Sequence, residues 1–267
     1  MAGNTKELRV RIKSVTSTLQ LTKAMGLVAS SKIRRANEAM LNAREYTDSL
    51  EQAIASLTSS LECLKSPFMR NDGGNRTRLI VIAGDRGLAG GYNANVFKLA
   101  SQYPDAEIIP LGKRACERYG KEVKSSEKYY FADAYPLAEE LCRDFSEGKF
   151  DRLGILYTEY ISVMANEAKI KWILPFQKSE KQDASVVFEP DHLTVLNRVA
   201  KEYVAGLLIA ALRESFASEV AARRMAMDSA GKNAKQMIED LKLEYNRARQ
   251  GAITQDITEI VAGSGNE

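Results

Sequence analysis

The run Gly84-Asp85-Arg86-Gly87-Leu88-Ala89-Gly90-Gly91-Tyr92-Asn93 follows directly on the apolar stretch Leu79–Ala83. A strand, a glycine-rich turn and a helix in that order open many nucleotide sites, because bare backbone N–H groups at a helix start suit a phosphate. The details point elsewhere. A phosphate-binding P-loop needs a lysine and a hydroxyl after its last glycine, and here Tyr92 and Asn93 follow, with no lysine before Lys98. The dinucleotide spacing G-x-G-x-x-G is absent, since the glycines fall as G-x-x-G-x-x-G-G. Asp85 would repel a phosphate. The loop therefore reads as a tight corner between strand and helix. Other reactive residues are sparse. His192 is the single histidine, which excludes histidine-rich metal chemistry and leaves a Ser-His-Asp arrangement only formally open. Cys63, Cys116 and Cys142 are odd in number and widely spaced, with no C-x-x-C, so neither a disulfide framework nor a cysteine zinc site is expected and a reducing compartment fits. No catalytic, metal or cofactor residue is assigned.

The chain has 267 residues, 45% hydrophobic and 27% charged, with a net charge of +3. That suffices for a buried core in one or two domains and does not by itself argue for nucleic acid. No stretch of about 18 apolar residues spans a membrane. The start, MAGNTKELRVRIK, carries no apolar segment of the kind that directs secretion.

All six prolines lie between Pro67 and Pro190, so both ends are free to form long helices. Leu8, Ile12, Val15, Leu19, Thr22, Gly26, Ala29, Ile33, Ala36, Met40, Ala43, Thr47, Leu50, Ile54, Leu57 and Leu61 alternate in steps of four and three, a heptad seam. A helix from Thr5 to Leu64 would be roughly 90 Å long. A compact globule of this size has a radius of gyration of only about 18 Å, so such a helix must project. From Asp191 to about Ala262 the chain is again helix-friendly. "EPDHL" marks a start, and nine alanines fall between Ala205 and Ala234. Gly206, Gly231 and Gly251 mark places for bends. The two ends pair most simply as an antiparallel coiled coil.

The middle differs. SPFMRNDGGNRT (66–77) reads as a linker. Leu79–Ala83, Glu107–Leu111, Leu153–Tyr160 and Ala168–Phe176 read as strands. Helical patterns lie near Asn93–Gln102, Lys113–Tyr119 and Pro136–Glu147. Alternation of this kind predicts a small, mostly parallel α/β domain, with the last two strands forming an edge hairpin and 178–185 a polar loop.

Lys6, Arg9, Arg11, Lys13, Lys23, Lys32, Arg34 and Arg35 face a single acid, Glu7, in the first 35 residues. No aromatic precedes Tyr46, so no base-stacking platform is visible, and the seam is too narrow and alanine-rich for a membrane-lying helix. A solvated face or an acidic protein partner suits these charges. At the other end, Ile253, Ile257, Ile260 and Val261 share a helical face that calls for a protein cover.

LTKAMGLVASSKIRRA (21–36), GDRGLAGGYNAN (84–95) and YNRARQGAITQDITEIVAG (245–263) resemble, in order and spacing, the γ subunits of F-type ATP synthases. The resemblance covers essentially the whole chain. It implies α/β plus coiled coil, an antiparallel coiled coil of long N- and C-terminal helices with an inserted Rossmann-like α/β domain. The implied divisions are 1–65, 66–190 and 191–267. It implies a non-catalytic rotor shaft within a ring of α and β subunits, its foot on the ε subunit and the membrane c-ring. Proton- or sodium-driven rotation would be coupled there to ATP synthesis or hydrolysis. No cofactor and no nucleic acid are implied, and membrane contact comes only through the complex. By the same resemblance Met25 lies near the acidic lever loop of a β subunit. Arg223, Arg249, Gln250, Thr254 and Glu259 contact β or support the shaft, and Glu189 lies near the c-ring loops. The 253–261 tip would sit in a sleeve at the top of the ring. Gly26, Asp256 and Ser264 depart from the usual residues, and Gly26 is expected to loosen the helix locally. The absence of a cysteine-bearing insert and of a transit peptide points to a bacterial subunit at the cytoplasmic face of the cell membrane. Outside the resemblance two readings stay open: an independent nucleotide-binding α/β protein with a dimerising coiled coil, and a basic coiled-coil scaffold for nucleic acid.

Overall fold

The computed structural model describes residues 2–70, 73–179 and 188–264. Helix α1 spans Ala2–Thr58 and helix α5 His192–Ser264. Between them lie two short 3-10 turns (Leu61–Lys65, Pro67–Met69), then β1 (Thr77–Ile82), α2 (Tyr92–Ala100), β2 (Glu107–Leu111), α3 (Lys113–Tyr119), α4 (Phe131–Ser146), β3 (Arg152–Tyr160) and β4 (Asn166–Leu174). Contacts divide the chain into two compact units. One holds the chain up to Ala29 with the chain from Arg224 on, and the other holds Ser30–Arg223.

In the first unit the two helical segments run antiparallel. Arg9 donates to the Tyr245 hydroxyl at 2.7 Å, and Gly26 lies against Met227. Leu8, Thr22 and Ala29 are buried from α1, as are Met227, Ala234 and Leu241 from α5. All the seam positions named from the sequence, from Leu8 to Leu57, are buried or half-buried across the two units. Leu61 is the exception at 69% exposed, because α1 stops at Thr58. There Ser60 accepts the Glu62 N–H and starts a 3-10 turn. Helix α1 runs through Gly26, and α5 through Gly206, Gly231 and Gly251, without a break. At its start α5 is capped as the sequence predicts. Asp191 accepts the Thr194 N–H at 2.8 Å and the Thr194 hydroxyl at 2.8 Å.

The second unit is built on a four-stranded mixed sheet in the order β2-β1-β3-β4. β1 pairs parallel with β2 and β3, and β4 closes the edge antiparallel to β3, the expected hairpin. Period-two alternation sorts the strands between two cores. Leu79, Val81 and Leu156 pack with Val96 and Ala100 of α2 and Ala115 of α3. Ile80, Ile82, Leu153 and Ile155 join Leu141 and Phe145 of α4 and the apolar face of α5, where Val204, Leu208 and Leu212 are buried. Pro110 lacks an N–H and so fits β2 only at a sheet edge. Leu111 O accepts from Ala83 N at 2.9 Å, which turns the neighbouring Pro110 nitrogen away from β1.

Two sequence boundaries need correction. The 66–77 segment is more than a linker: Phe68 is 5% exposed and lies 6.3 Å from the Phe145 ring and 6.1 Å from the Phe176 ring. Its carbonyl accepts from Phe176 N at 2.7 Å. Helix α4 begins at Phe131, ahead of Pro136, because Asp133 accepts the Tyr130 N–H and fixes the first turn. Most of the predicted polar loop, 178–185, lies outside the described residues.

Candidate functional site at the glycine loop and helix α5

The loop after β1 is tied to its neighbours by the Asp85 carboxylate. Asp85 Oδ1 accepts from Lys113 N at 3.0 Å and Ser126 N at 2.9 Å, and Oδ2 accepts from Glu127 N at 3.3 Å and from the Ser125 hydroxyl. Burial alone would push this carboxyl up. The hydrogen bonds outweigh burial and hold it below the usual carboxylate range. Asp85 thereby ties the glycine loop to the start of α3 and to residues 125–127. Asn93 fastens the other side, its Oδ1 accepting from Gly84 N at 2.9 Å and its Nδ2 donating to Arg86 O at 3.3 Å.

Helix α5 seats on this loop. Arg223 donates to Gly87 O from Nε at 3.4 Å and from NH2 at 3.3 Å, and the same guanidinium pairs with Glu219. Glu219 is buried, and burial pushes its carboxyl above the ordinary range against the opposing pull of Arg223. Gly84 leaves room for this seat, since a Cβ there would lie 2.7 Å from Glu219 Cδ and the carboxylate would have to shift. Beneath the loop the Tyr92 hydroxyl donates to Ser215 O at 3.1 Å, and burial raises its pKa. The arrangement joins a loop to a helix. Arg223 and Glu219 are the charged pair of that joint.

The residues assigned from the sequence fall in different settings. Met25 is half-buried on α1. Arg223 belongs to the joint just described. Arg249, Gln250 and Thr254 are exposed on neighbouring turns of α5, where the Thr254 hydroxyl donates to Gln250 O at 3.0 Å. Glu189 is exposed shortly before α5. Glu259, Asp256 and Ser264 continue the helix, and their side chains lie outside the described ones. Sequence reasoning missed Glu219, Ser215 and Asn93. For Glu219 and Ser215 the signal was the cluster of polar residues at 214–219 inside an alanine-rich apolar helix; for Asn93 it was its place directly after the glycine run. Ile253, Ile257 and Ile260 are 49%, 55% and 70% exposed. No helix among the described residues is long and apolar enough to cross a membrane.

The family model described as ATP synthase matches residues 4–265. The ATP synthase gamma chain of Ruminococcus albus is 41% identical, with 99% of each chain covered. That of Staphylococcus epidermidis is 37% identical, with 97% of each covered. The chain belongs to the ATP synthase γ-chain family. Its fold matches the rotor of the Euglena gracilis mitochondrial ATP synthase, with a TM-score of 0.65 at 16% identity, covering 95% of this chain and 100% of that one. A second structure of the same enzyme, comprising OSCP, F1 and c-ring, gives a TM-score of 0.67 at 16% identity, covering 98% of this chain and 94% of that one. In this γ chain the glycine loop is a corner braced by Asp85, Asn93 and Arg223, in keeping with the corner read from its spacing.

Proposed function

We propose that this chain is the central rotor-stalk subunit of an F-type ATP synthase. It is non-catalytic and couples ion-driven turning of a c-ring to ATP synthesis or hydrolysis on the surrounding α and β subunits. The observation that carries the reading is whole-length similarity to γ chains, 41% over 99% of both chains. The paired terminal helices act as an antiparallel coiled coil, over 1–65 and 191–267. The 66–190 segment acts as a Rossmann-like foot against the ε subunit and the c-ring. An asymmetric shaft presents a different face to each catalytic subunit at each angle, and so biases each toward a different conformation. Met25, Arg249, Gln250, Thr254 and Glu259 are the proposed contacts with the ring, Arg223 supports the shaft, and Glu189 faces the c-ring loops. The exposed isoleucines of the α5 tip suit a protein sleeve. The proposed location is the cytoplasmic face of a bacterial cell membrane, reached only through the complex.

The independent nucleotide-binding reading gains no support from the relatives, which match over their whole length as γ chains. Native complex isolated through a tagged ε subunit tests the proposal. One copy of this chain with three α and three β subunits is expected, with ATPase activity that changes when the chain is removed. Recovery of the chain only as a free monomer or homodimer overturns it.

A further inference from the structure

Strand β3 outruns its parallel neighbour. β1 ends at Ile82, and its last paired residue, Val81, faces Leu156, while β3 continues to Tyr160. On the far side β4 accompanies β3 all the way. Beyond Leu156 the β1 side of β3 therefore presents backbone groups with no strand to meet them. Thr158 is 2% exposed, so water cannot serve its groups, and buried unpaired backbone groups are rare in folded proteins.

Side chains take the place of the missing strand. Thr158 N donates to Ser215 Oγ at 3.1 Å, and Ser218 Oγ donates to Thr158 O at 3.2 Å. Tyr160 N donates to Glu214 Oε1 at 3.1 Å, and Arg44 NH2 donates to Tyr160 O at 3.3 Å. Arg44 also pairs with Glu214 at 2.6 Å, so α1 closes the set. Ser215, Ser218 and Glu214 are 2%, 0% and 7% exposed. The backbone groups of both residues are thus met, all but one of them by one short stretch of α5.

We propose that Glu214, Ser215 and Ser218, braced by Arg44, are positioning residues that fix the rotary setting of α5 on the α/β domain and carry torsion between them. The inference rests on the rotor reading. A hydrophobic contact tolerates some sliding, because it is non-directional. Hydrogen bonds to a fixed strand end do not. Turning α5 by one residue position, about 100°, moves all three side chains off Thr158 and Tyr160 together. An apolar α5 face also interlocks with the domain, and hydrogen bonds to a fixed strand end add a directional constraint that packing alone does not supply. Polar residues buried at this point specify one angle, and this accounts for their presence in an otherwise alanine- and leucine-rich segment.

The test uses the assembled ATP synthase complex, arrested with a non-hydrolysable ATP analogue, with a probe on the α/β domain at Gln102→Cys. The three native cysteines of this chain are buried, so the exposed new thiol is labelled on the purified chain before it is reassembled with the other subunits. Angular variance of the probe reports the stiffness of the joint. The Ser215→Ala/Ser218→Ala double variant is expected to raise that variance about twofold, since buried polar networks act cooperatively. Glu214→Gln keeps an acceptor for Tyr160 N and stays near wild type, whereas Glu214→Ala does not. Should the double variant fail to assemble, Ser218→Ala alone carries the same expectation with a smaller rise. A lowered melting temperature with wild-type variance means that the residues serve packing only, and overturns the proposal. Failure of the rotor reading looks different: the wild-type chain is then missing from the complex, or its probe does not turn on addition of ATP.

Discussion

Asp85 shows how one side chain settles the character of a loop. Its type and position argued against a bound phosphate, and in the fold its carboxylate ties the loop to the N–H groups of Lys113, Ser126 and Glu127. Asp85→Ala strands those donors and is expected to lower stability by about 1.5–3 kcal/mol, the range for hydrogen bonds to charged groups. Urea unfolding of the isolated chain measures it. The folded-state pKa of Asp85 lies below its ordinary value, so its contribution is complete above the ordinary carboxylate range, near pH ~4. It is lost as pH falls through that range toward the folded value. The stability gap between wild type and Asp85→Asn should therefore be constant at neutral pH and shrink in acid. A gap that widens in acid contradicts the assignment. Gly84 makes a second case. In Gly84→Ala the new methyl would meet the Glu219 carboxylate, which must move away from Arg223. A loss of about 1–3 kcal/mol is expected, and the same urea titration reads it.

The helices were the most legible elements, because a long periodic pattern without proline leaves few alternatives. The α1 seam fell on buried or half-buried positions from Leu8 to Leu57. Its end did not follow from periodicity, because Ser60 offers the chain a local cap that competes with helix continuation. The start of α4 escaped the sequence for the opposite reason. Pro136 has the look of a first helical residue, yet Asp133 secures the helix one turn earlier and the missing proline N–H is tolerated. Strands were legible from their apolar runs. The polar joint on β3 was not, since it depends on β1 ending before β3 does, a fact of pairing that no single strand's sequence contains. Gly26 carries a prediction for α1. A Cβ there would lie 3.6 Å from Met227 Cβ, an ordinary contact. Gly26→Ala should fit without displacement and strengthen the helix by up to about 1 kcal/mol. Thermal unfolding followed by circular dichroism should show a raised midpoint, and a lowered one would mean that the glycine serves close packing.

For the molecule in its complex, the demand is that the shaft be stiff along its own structure while its contacts with the ring stay weak at every angle. The two demands fall on different residues. Stiffness belongs to buried, directional contacts such as Arg223 with Gly87 and Ser218 with Thr158. Weak contact belongs to the surface, where Met25 is half-buried and uncharged. Met25→Lys would put a cation beside an acidic loop of a β subunit on the proposed reading. The charge pair would be partly shielded from water and hence worth more than an exposed surface pair. It would favour one angle over the others, so part of the energy of each ATP would be spent in leaving that angle. Assembly should be intact, because a half-buried methionine stem and a lysine stem cover similar apolar surface. ATP hydrolysis should remain within about an order of magnitude of wild type, while ATP-driven uptake of the coupling ion, proton or sodium, into inverted membrane vesicles falls further, lowering the ions moved per ATP. The ratio of the two rates, measured on the same vesicles, decides the matter. An unchanged ratio would remove Met25 from the coupling contacts and leave the stalk reading standing on its whole-length similarity alone.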